Sequence, residues 1–492
     1  MRKGSITVYL SLVLCVIMAL IFVSLDSARY SCGRAMAALA ADEGLFSLFG
    51  EYDRILYDKY GLLMIDGGYG QSQVKAGTLL EETAAVMKKV LSPGFFSGNL
   101  FRADIDRKSV TGYVLATDSD YEMIKEQIRT LMTLKLGSDV ISSMLGSFSE
   151  ASETLQIAEA SGNSESDALR AEYEAQRAIA EQTAASAAEA LAAQGSGGTP
   201  EAEPSAVAVP EDFVNPLDNI TAIMKLGFMS YVVPDIDNIS SMSLQKSSLP
   251  EKRNLASGLG AMPPSHAAIT DRLLFAKYIT DFFPNFLSDD STRGLQYQAE
   301  FAIAGKSKDV DNLKSVLNRL MLMREALNYA YLLTDTEKQG AIETVALIIC
   351  SAILIPELAE PVKHLILLGW AYCESLMDVK SLLAGGRVPI FKDASTWKTT
   401  LSGLSYLTPD TPAPDSGNGF SYEEYLCILL MMKSSNSLAE RIADLLEYNR
   451  RILGNENGFC LDTCICSLEI RIEGHISGHD YSLIRSYTYD TA

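Results

Sequence analysis

From Ile6 to Leu25 the chain is apolar and carries no charge. Those 20 positions, at about 1.5 Å of rise each, reach about 30 Å, the hydrocarbon thickness of a bilayer. The run predicts a membrane-spanning helix. Past it, Leu45, Leu48, Phe49, Tyr52, Ile55 and Leu56 recur at helical spacing, so the same helix is predicted to continue from Ser27 to Tyr60. Gly33, Gly44 and Gly50 mark where it could bend. Next, Gly61–Asp66 reads as a short buried strand, and residues 73–91 as a helix broken by Ser92-Pro93-Gly94. Residues 100–118 read as two short strands around a polar turn. Ser119 and Glu122 have the spacing of a capping box. They open a helix carrying Ile124, Ile128, Leu131 and Met132.

The patterning then changes. Residues 150–212 hold an Ala/Glu-rich helix with little to bury, then a Gly-Ser-Pro-rich linker. Beyond Phe213 helices dominate. Leu313, Val316, Leu317, Leu320, Met323 and Leu327 form one helical stripe. Residues 341–376 are apolar but interrupted by Glu343, Pro356, Glu357, Glu360, Pro361, Lys363 and His364. No charge-free run there reaches the ~20 residues of a span, so a buried helical hairpin is expected. The end of the chain alternates: Cys464, Cys466, Leu468, Ile470 and Ile472 share one face of a strand, and Thr463, Ser467, Glu469, Arg471 and Glu473 the other, with Ile465 the exception. Residues 474–480 turn the chain, and Tyr481–Asp490 returns to complete a β-hairpin.

Composition narrows the function classes. Asp and Glu outnumber Lys and Arg 62 to 41, a formal charge of −21 over 492 residues. Phosphate backbones need basic patches, so nucleic acid is not an expected partner. Eight cysteines are too sparse for a disulfide scaffold. Arg2 and Lys3 precede the apolar run, which places the N-terminus in the cytoplasm and the body outside. A cleaved signal fits poorly, because Asp26 stands three residues before a cut after Ala28. Leu14 stands where a lipoprotein site at Cys15 needs a small residue.

Three groups of side chains are candidates for chemistry. Glu374 and Asp378 lie one helical turn apart, near Lys380 and Trp397, and could act as a paired acid and base beside an aromatic wall. The alternative is a helix end with capping charges and a packed Trp. Cys460, Cys464 and Cys466 could pack in the core, pair, or hold a metal. His475, His479 and Asp480 fall in a glycine-rich turn that reads as a solvated loop rather than a metal site. No P-loop, nucleophile elbow or HExxH is present. No catalytic, cofactor or metal residues are therefore assigned, and the chain is not expected to be an enzyme.

The segments Gly4-Ser5-Ile6-Thr7-Val8, Ser27-Ala28-Arg29, Tyr52-Asp53-Arg54 and Tyr60-Gly61-Leu62-Leu63 resemble the N-terminus of an uncharacterised family of anaerobic Gram-positive bacteria. That family is associated with tight-adherence (Tad) pilus systems and is similar to TadE/TadG-like pseudopilins. Residues 297–333, 370–397, 422–426, 444–452 and 485–489 resemble it too. The resemblance implies a structural or accessory role in a Tad/type IV-like pilus or surface assembly, with Gly4 as the processing site. Type IV pilins carry a glutamate five residues further on; here Tyr9 stands in that place. Ile6, Val8, Tyr9, Leu10 and Leu12 are the expected lateral contacts of a membrane and assembly helix. The expected partners are the bilayer and other pilin-like or pilus-assembly subunits. The alternatives are a membrane-tethered cell-envelope binding module and a cell-envelope hydrolase.

The expected fold class is α+β, in four serial segments: an anchor at 1–27, an extracellular helix with a small α+β unit at 28–149, the Ala/Glu-rich helix and linker at 150–212, and a mainly helical body closed by the β-hairpin at 213–492.

Overall fold

In the computed structural model, residues 3–92, 103–161, 182, 213–260, 269–288, 294–352, 359–414, 417–476 and 478–489 are described. The fold is α+β: mostly helical, with a small antiparallel sheet and a C-terminal hairpin. Most of the expected Ala/Glu-rich helix and all of its linker lie outside the described residues, as do Pro356 and Glu357.

Two compact units form, and each is discontinuous in sequence. The first comprises residues 1–137, 245–275 and 435–492; the second comprises 138–244 and 276–434. The serial division of the sequence thus gives way to an interleaved one. Its cause is pairing between distant strands, which residue patterning cannot register.

The first unit begins with α1 (Lys3–Phe49), a single helix of 47 residues. Gly33 and Gly44 do not bend it. They admit neighbours instead: a Cβ at Gly33 would lie 2.8 Å from Ile476 Cγ2, and one at Gly44 2.9 Å from Thr83 Cγ2. The expected continuation to Tyr60 stops at Phe49. Asp53 is drawn out of the helix, donating its N–H to the Met64 carbonyl at 2.9 Å and accepting Leu56 N–H at 2.9 Å. It thereby caps α2 (Arg54–Tyr60). The strand β1 is short (Ile65–Asp66), and α3 (Ala76–Leu91) follows.

Two further expectations change here. Residues 100–118 were expected to fold as two strands; β2 is one strand, Asp104–Leu115. Register shifts at Ile105/Arg107, Val110/Gly112 and Val114/Leu115 let it follow its partner without turning. The expected capping box at Ser119 is not formed. Ser119, Asp120 and Tyr121 have left-handed backbone angles at the start of α4 (Asp118–Leu136). The Asp118 carboxylate takes the turn, accepting Leu115 N–H at 2.7 Å and Gly258 N–H at 3.0 Å.

After α14 (Ser435–Gly454), the hairpin β3 (Cys464–Ile476) and β4 (His479–Thr488) completes the sheet. β3 is central, with β2 antiparallel on one edge and β4 and β1 on the other. The buried face of α1 (Ala37, Ala40, Ala41, Leu45, Leu48, Phe49) packs into the core built by Ile470, Ile472 and Leu483 of the hairpin and Leu79 and Met87 of α3. Small residues on that face let helix and sheet approach closely. Arg253 fastens the 245–275 segment, meeting both oxygens of the buried Glu447 and reaching Asp462 as well.

The second unit is helical. It includes α5 (residues 138–161), α6 (Pro216–Leu226), α7 (Met229–Val232), α9 (Gln298–Ala304), α10 (Asp309–Thr334), α11 (Thr336–Ala352), α12 (Ala359–Leu383) and α13 (Tyr422–Met431), while α8 (Ile269–Phe282) carries the chain into it. α10, α11 and α12 pack on one another, and most of α12 is buried. The described parts of the apolar region, residues 341–352 and 359–376, are accordingly helical segments of this packed unit, 353–358 lying outside the described residues.

Candidate functional site

The N-terminal helix is the first candidate. Ile6, Val8, Tyr9, Leu10 and Leu12 are each between 61% and 70% exposed, and no part of the apolar run Ile6–Leu25 packs into the protein. Among the described residues α1 is the one helix long and apolar enough to cross a membrane. Beyond Leu25 the same helix changes character, with one face forming the core of the first unit. Gly4 lies inside its first turns.

Glu374 and Asp378 are the second candidate, and the structure gives them a different setting from the one an acid–base pair needs. Both are buried in α12. Lys392, from the loop after α12, lies between them, in contact with Glu374 Oε1 and 2.6 Å from Asp378 Oδ1. Arg324 of α10 reaches Asp378 Oδ2 at 3.0 Å and donates to the carbonyls of Pro389 and Ile390 at 2.8 Å each. Asn328 Nδ2 donates to Asp378 Oδ2 and to Ser375 Oγ, both at 3.0 Å. Glu374 accepts the N–H groups of Lys398 (2.9 Å) and Thr399 (2.8 Å) and the Thr399 hydroxyl (2.6 Å).

Two cations and two carboxylates are thus sealed together with their hydrogen bonds made. Buried charge survives only when paired and bonded in this way. The arrangement clamps the loop at 387–399 onto α10 and α12. Trp397 covers it, its ring centroid 5.5 Å from Lys392 Nζ, and Trp370 donates its indole N–H to Thr399 at 2.7 Å. Lys380 stands apart, donating to the Pro409 carbonyl at 2.6 Å. Arg324, Asn328 and Lys392 were missed in the sequence, although a charge at position 324 within a helical apolar stripe was a signal.

The three C-terminal cysteines are buried free thiols. Cys464 and Cys466 sit on β3 among its apolar residues, and burial pushes all three thiols upward, Cys466 to about 12. Thiols held protonated in this way are poor nucleophiles and poor metal ligands. The two histidines do not lie in a loop as expected, because the strands run further toward the turn. His475 lies one residue before the end of β3, with Nδ1 3.0 Å from Asp106, a hydrogen bond that raises its pKa. His479 begins β4 with Nε2 2.9 Å from Asp26 of α1.

Two depressions mark the first unit. One, of about 830 Å³, lies between α3 and β2 and is lined by both signs of charge, including Glu81, Lys88, Asp104 and Arg107. The other, of about 500 Å³, lies between α1 and β4 and includes Tyr30, Arg34 and Arg485.

These features define an α+β protein whose N-terminal helix is long and apolar enough to act as a membrane anchor. The chain belongs to the family described as Family of unknown function (DUF5702), which matches residues 208–476, more than half of its length. That match takes in β3 and the helical unit from α6 onward. No curated protein and no solved structure matches the chain.

Proposed function

We propose that this chain is a structural or accessory component of a Tad/type IV-like pilus or related surface assembly. Residues Ile6–Leu25 hold it in the bilayer, Arg2 and Lys3 stay cytoplasmic, and the two folded units lie outside. The observation that carries the reading is the continuity of α1. One helix supplies both an apolar surface left open to lipid or neighbouring subunits and a buried face that belongs to the folded body. Ile6, Val8, Tyr9, Leu10 and Leu12 are its lateral contacts, and Gly4 is the candidate processing site. The closed charge network around Glu374 and Asp378 supports a structural role over a cell-envelope hydrolase, because both carboxylates are already occupied.

The test is to shear surface filaments from cells and immunoblot the chain in filament and membrane fractions. Recovery in filaments, lost when Val8 or Leu10 is changed to Asp, is the expected result. Recovery in membranes alone would replace the subunit reading with that of a membrane-tethered binding module.

A further inference from the structure

The tip of the C-terminal hairpin is level with the first charge beyond the apolar run. Asp26 closes that run, and its carboxylate meets His479 Nε2 at 2.9 Å. One turn further, Tyr30 donates its hydroxyl to the Asp480 carbonyl at 3.3 Å, and its ring stands edge-on to the His479 imidazole, centroids 6.0 Å apart. Ile476 fills the space that Gly33 leaves open.

From there α1 and β4 run side by side. Asp42 pairs with Arg485 at 3.3 Å, and the rings of Phe46 and Tyr487 lie 6.2 Å apart. The helix from Asp26 to Phe46 rises about 30 Å. The strand from His479 to Tyr487 rises about 26 Å. The two agree to about one strand residue, so β4 climbs along the helix axis and starts at its membrane end. Asp104 is the register partner of His475, which brings the first residues of β2 to the same level.

We infer that this end of the sheet, the hairpin tip with the first residues of β2, rests on the phospholipid headgroup layer as a second membrane contact beside the span. The inference depends on Ile6–Leu25 being a span. A headgroup layer adds about 5–8 Å to each side of the hydrocarbon, and Asp26 to Tyr30 climbs about 6 Å. The side chains bonded to that turn therefore lie within the layer. Their chemistry fits zwitterionic headgroups: His475, His479 and the exposed Arg107 face phosphate, and Asp104, Asp106 and Asp480 face choline or ammonium. Ile476, the apolar side chain of the tip, is turned onto α1 and needs no cover from lipid.

The test uses the full chain in phosphatidylcholine nanodiscs. Cys15 and Cys32, the exposed cysteines, are replaced by Ser. A fluorophore is then placed by Asp480→Cys, Ser482→Cys or Ser486→Cys, three exposed positions on one face of β4. Headgroup-attached nitroxide lipid is the quencher. About 20 Å of strand separates 480 from 486, so quenching at 480 and 482 is expected to exceed that at 486 by at least about twofold. A second sample, carrying only Cys32→Ser and labelled at Cys15, is titrated with acyl-chain nitroxide lipid. Quenching at Cys15 with equal or no quenching along β4 overturns the headgroup contact and leaves the span standing. Absence of acyl-chain quenching at Cys15 overturns both.

Discussion

Replacing Lys392 with Met tests whether the charge network in the helical unit is a sealed clamp. Met keeps the unbranched stem, one atom shorter, and removes the cation shared by Glu374 and Asp378. Asp378 retains Arg324 and Asn328. Glu374 retains only neutral donors, from Lys398 and Thr399. It becomes a buried carboxylate with no ion-pair partner in contact, and breaking a buried pair in this way costs about 3–5 kcal/mol. The three surviving donors place the expected loss near the lower end, about 3 kcal/mol. The assay is urea unfolding of the full chain in detergent, read by tryptophan fluorescence. Trp370 and Trp397 are the chain's two tryptophans and both border the network, so the signal reports on this unit. Adding Glu374→Gln to Lys392→Met is expected to recover most of the loss, since the amide leaves no charge to bury. A loss below about 1 kcal/mol, in the range of solvent-exposed pairs, would refute the reasoning. Water would then reach the carboxylates, and acid–base chemistry at Glu374 and Asp378 would be open again.

Three further outcomes are expected. Burial pushes the Glu300 carboxyl from its ordinary 4.5 up to about 7, with Oε1 accepting Phe286 N–H and the Tyr422 hydroxyl. The folded state then holds the proton more tightly than the unfolded state between those values, so stability falls as pH rises from 4.5 to about 7. The loss is on the order of 3 kcal/mol; Glu300→Gln should flatten that part of a Tm-versus-pH curve, and an unchanged slope would assign it elsewhere. Gly33→Ala places a Cβ 2.8 Å from Ile476 Cγ2 and should cost about 1–3 kcal/mol in thermal melts, partly relieved by Ile476→Ala; an unchanged melt would show that the hairpin does not bear on α1 there. In alkylation followed by mass spectrometry, Cys350, Cys373, Cys427, Cys460, Cys464 and Cys466 should react only after unfolding, because all six are buried as free thiols; modification of Cys460, Cys464 or Cys466 in the folded chain would count against their place in the core.

How far the sequence could be read depended on how far apart the cooperating residues were. The hairpin was legible because alternation from Cys464 to Ile472 is a local signal, and its buried face is the one the alternation names. The stripe Leu313–Leu327 was legible for the same reason: Leu313, Val316, Leu317, Leu320 and Met323 are buried in α10, and Leu327 is half-buried. β2 was misread because Gly112 and the polar run Asp106-Arg107-Lys108-Ser109 look like a turn when seen alone. Alongside β3 they are paired residues accommodated by register shifts. The setting of Glu374 and Asp378 was hidden for a related reason. Their spacing on one helix is visible, but their counter-ions come from α10 and from a loop, at Arg324 and Lys392. Only the fold brings these four charges together.

The interleaving of the first unit also bears on whether the anchor is a detachable tether. Ala37, Ala40, Ala41, Leu45, Leu48 and Phe49 of α1 are buried against the hairpin and α3. A simple tether would leave the body complete when cut away. Here the position of the cut matters. Removing residues through Leu25 takes away the exposed run Ile6–Leu25 and none of the core residues of α1, and should yield a soluble chain with the same tryptophan signal and unchanged far-ultraviolet signals from the body. Removing residues through Phe49 takes out one wall of the core and exposes Ile470, Ile472 and Leu483. At about 1.5–3 kcal/mol for each large apolar side chain uncovered, that loss rivals the whole stability of an ordinary domain. The shorter chain should expose apolar surface to a hydrophobic dye and aggregate. If both truncations fold equally well, α1 is an accessory to the body and the tethered-module reading gains. If only the first does, membrane helix and body are one mechanical element, as a subunit that passes load from a filament to its base requires.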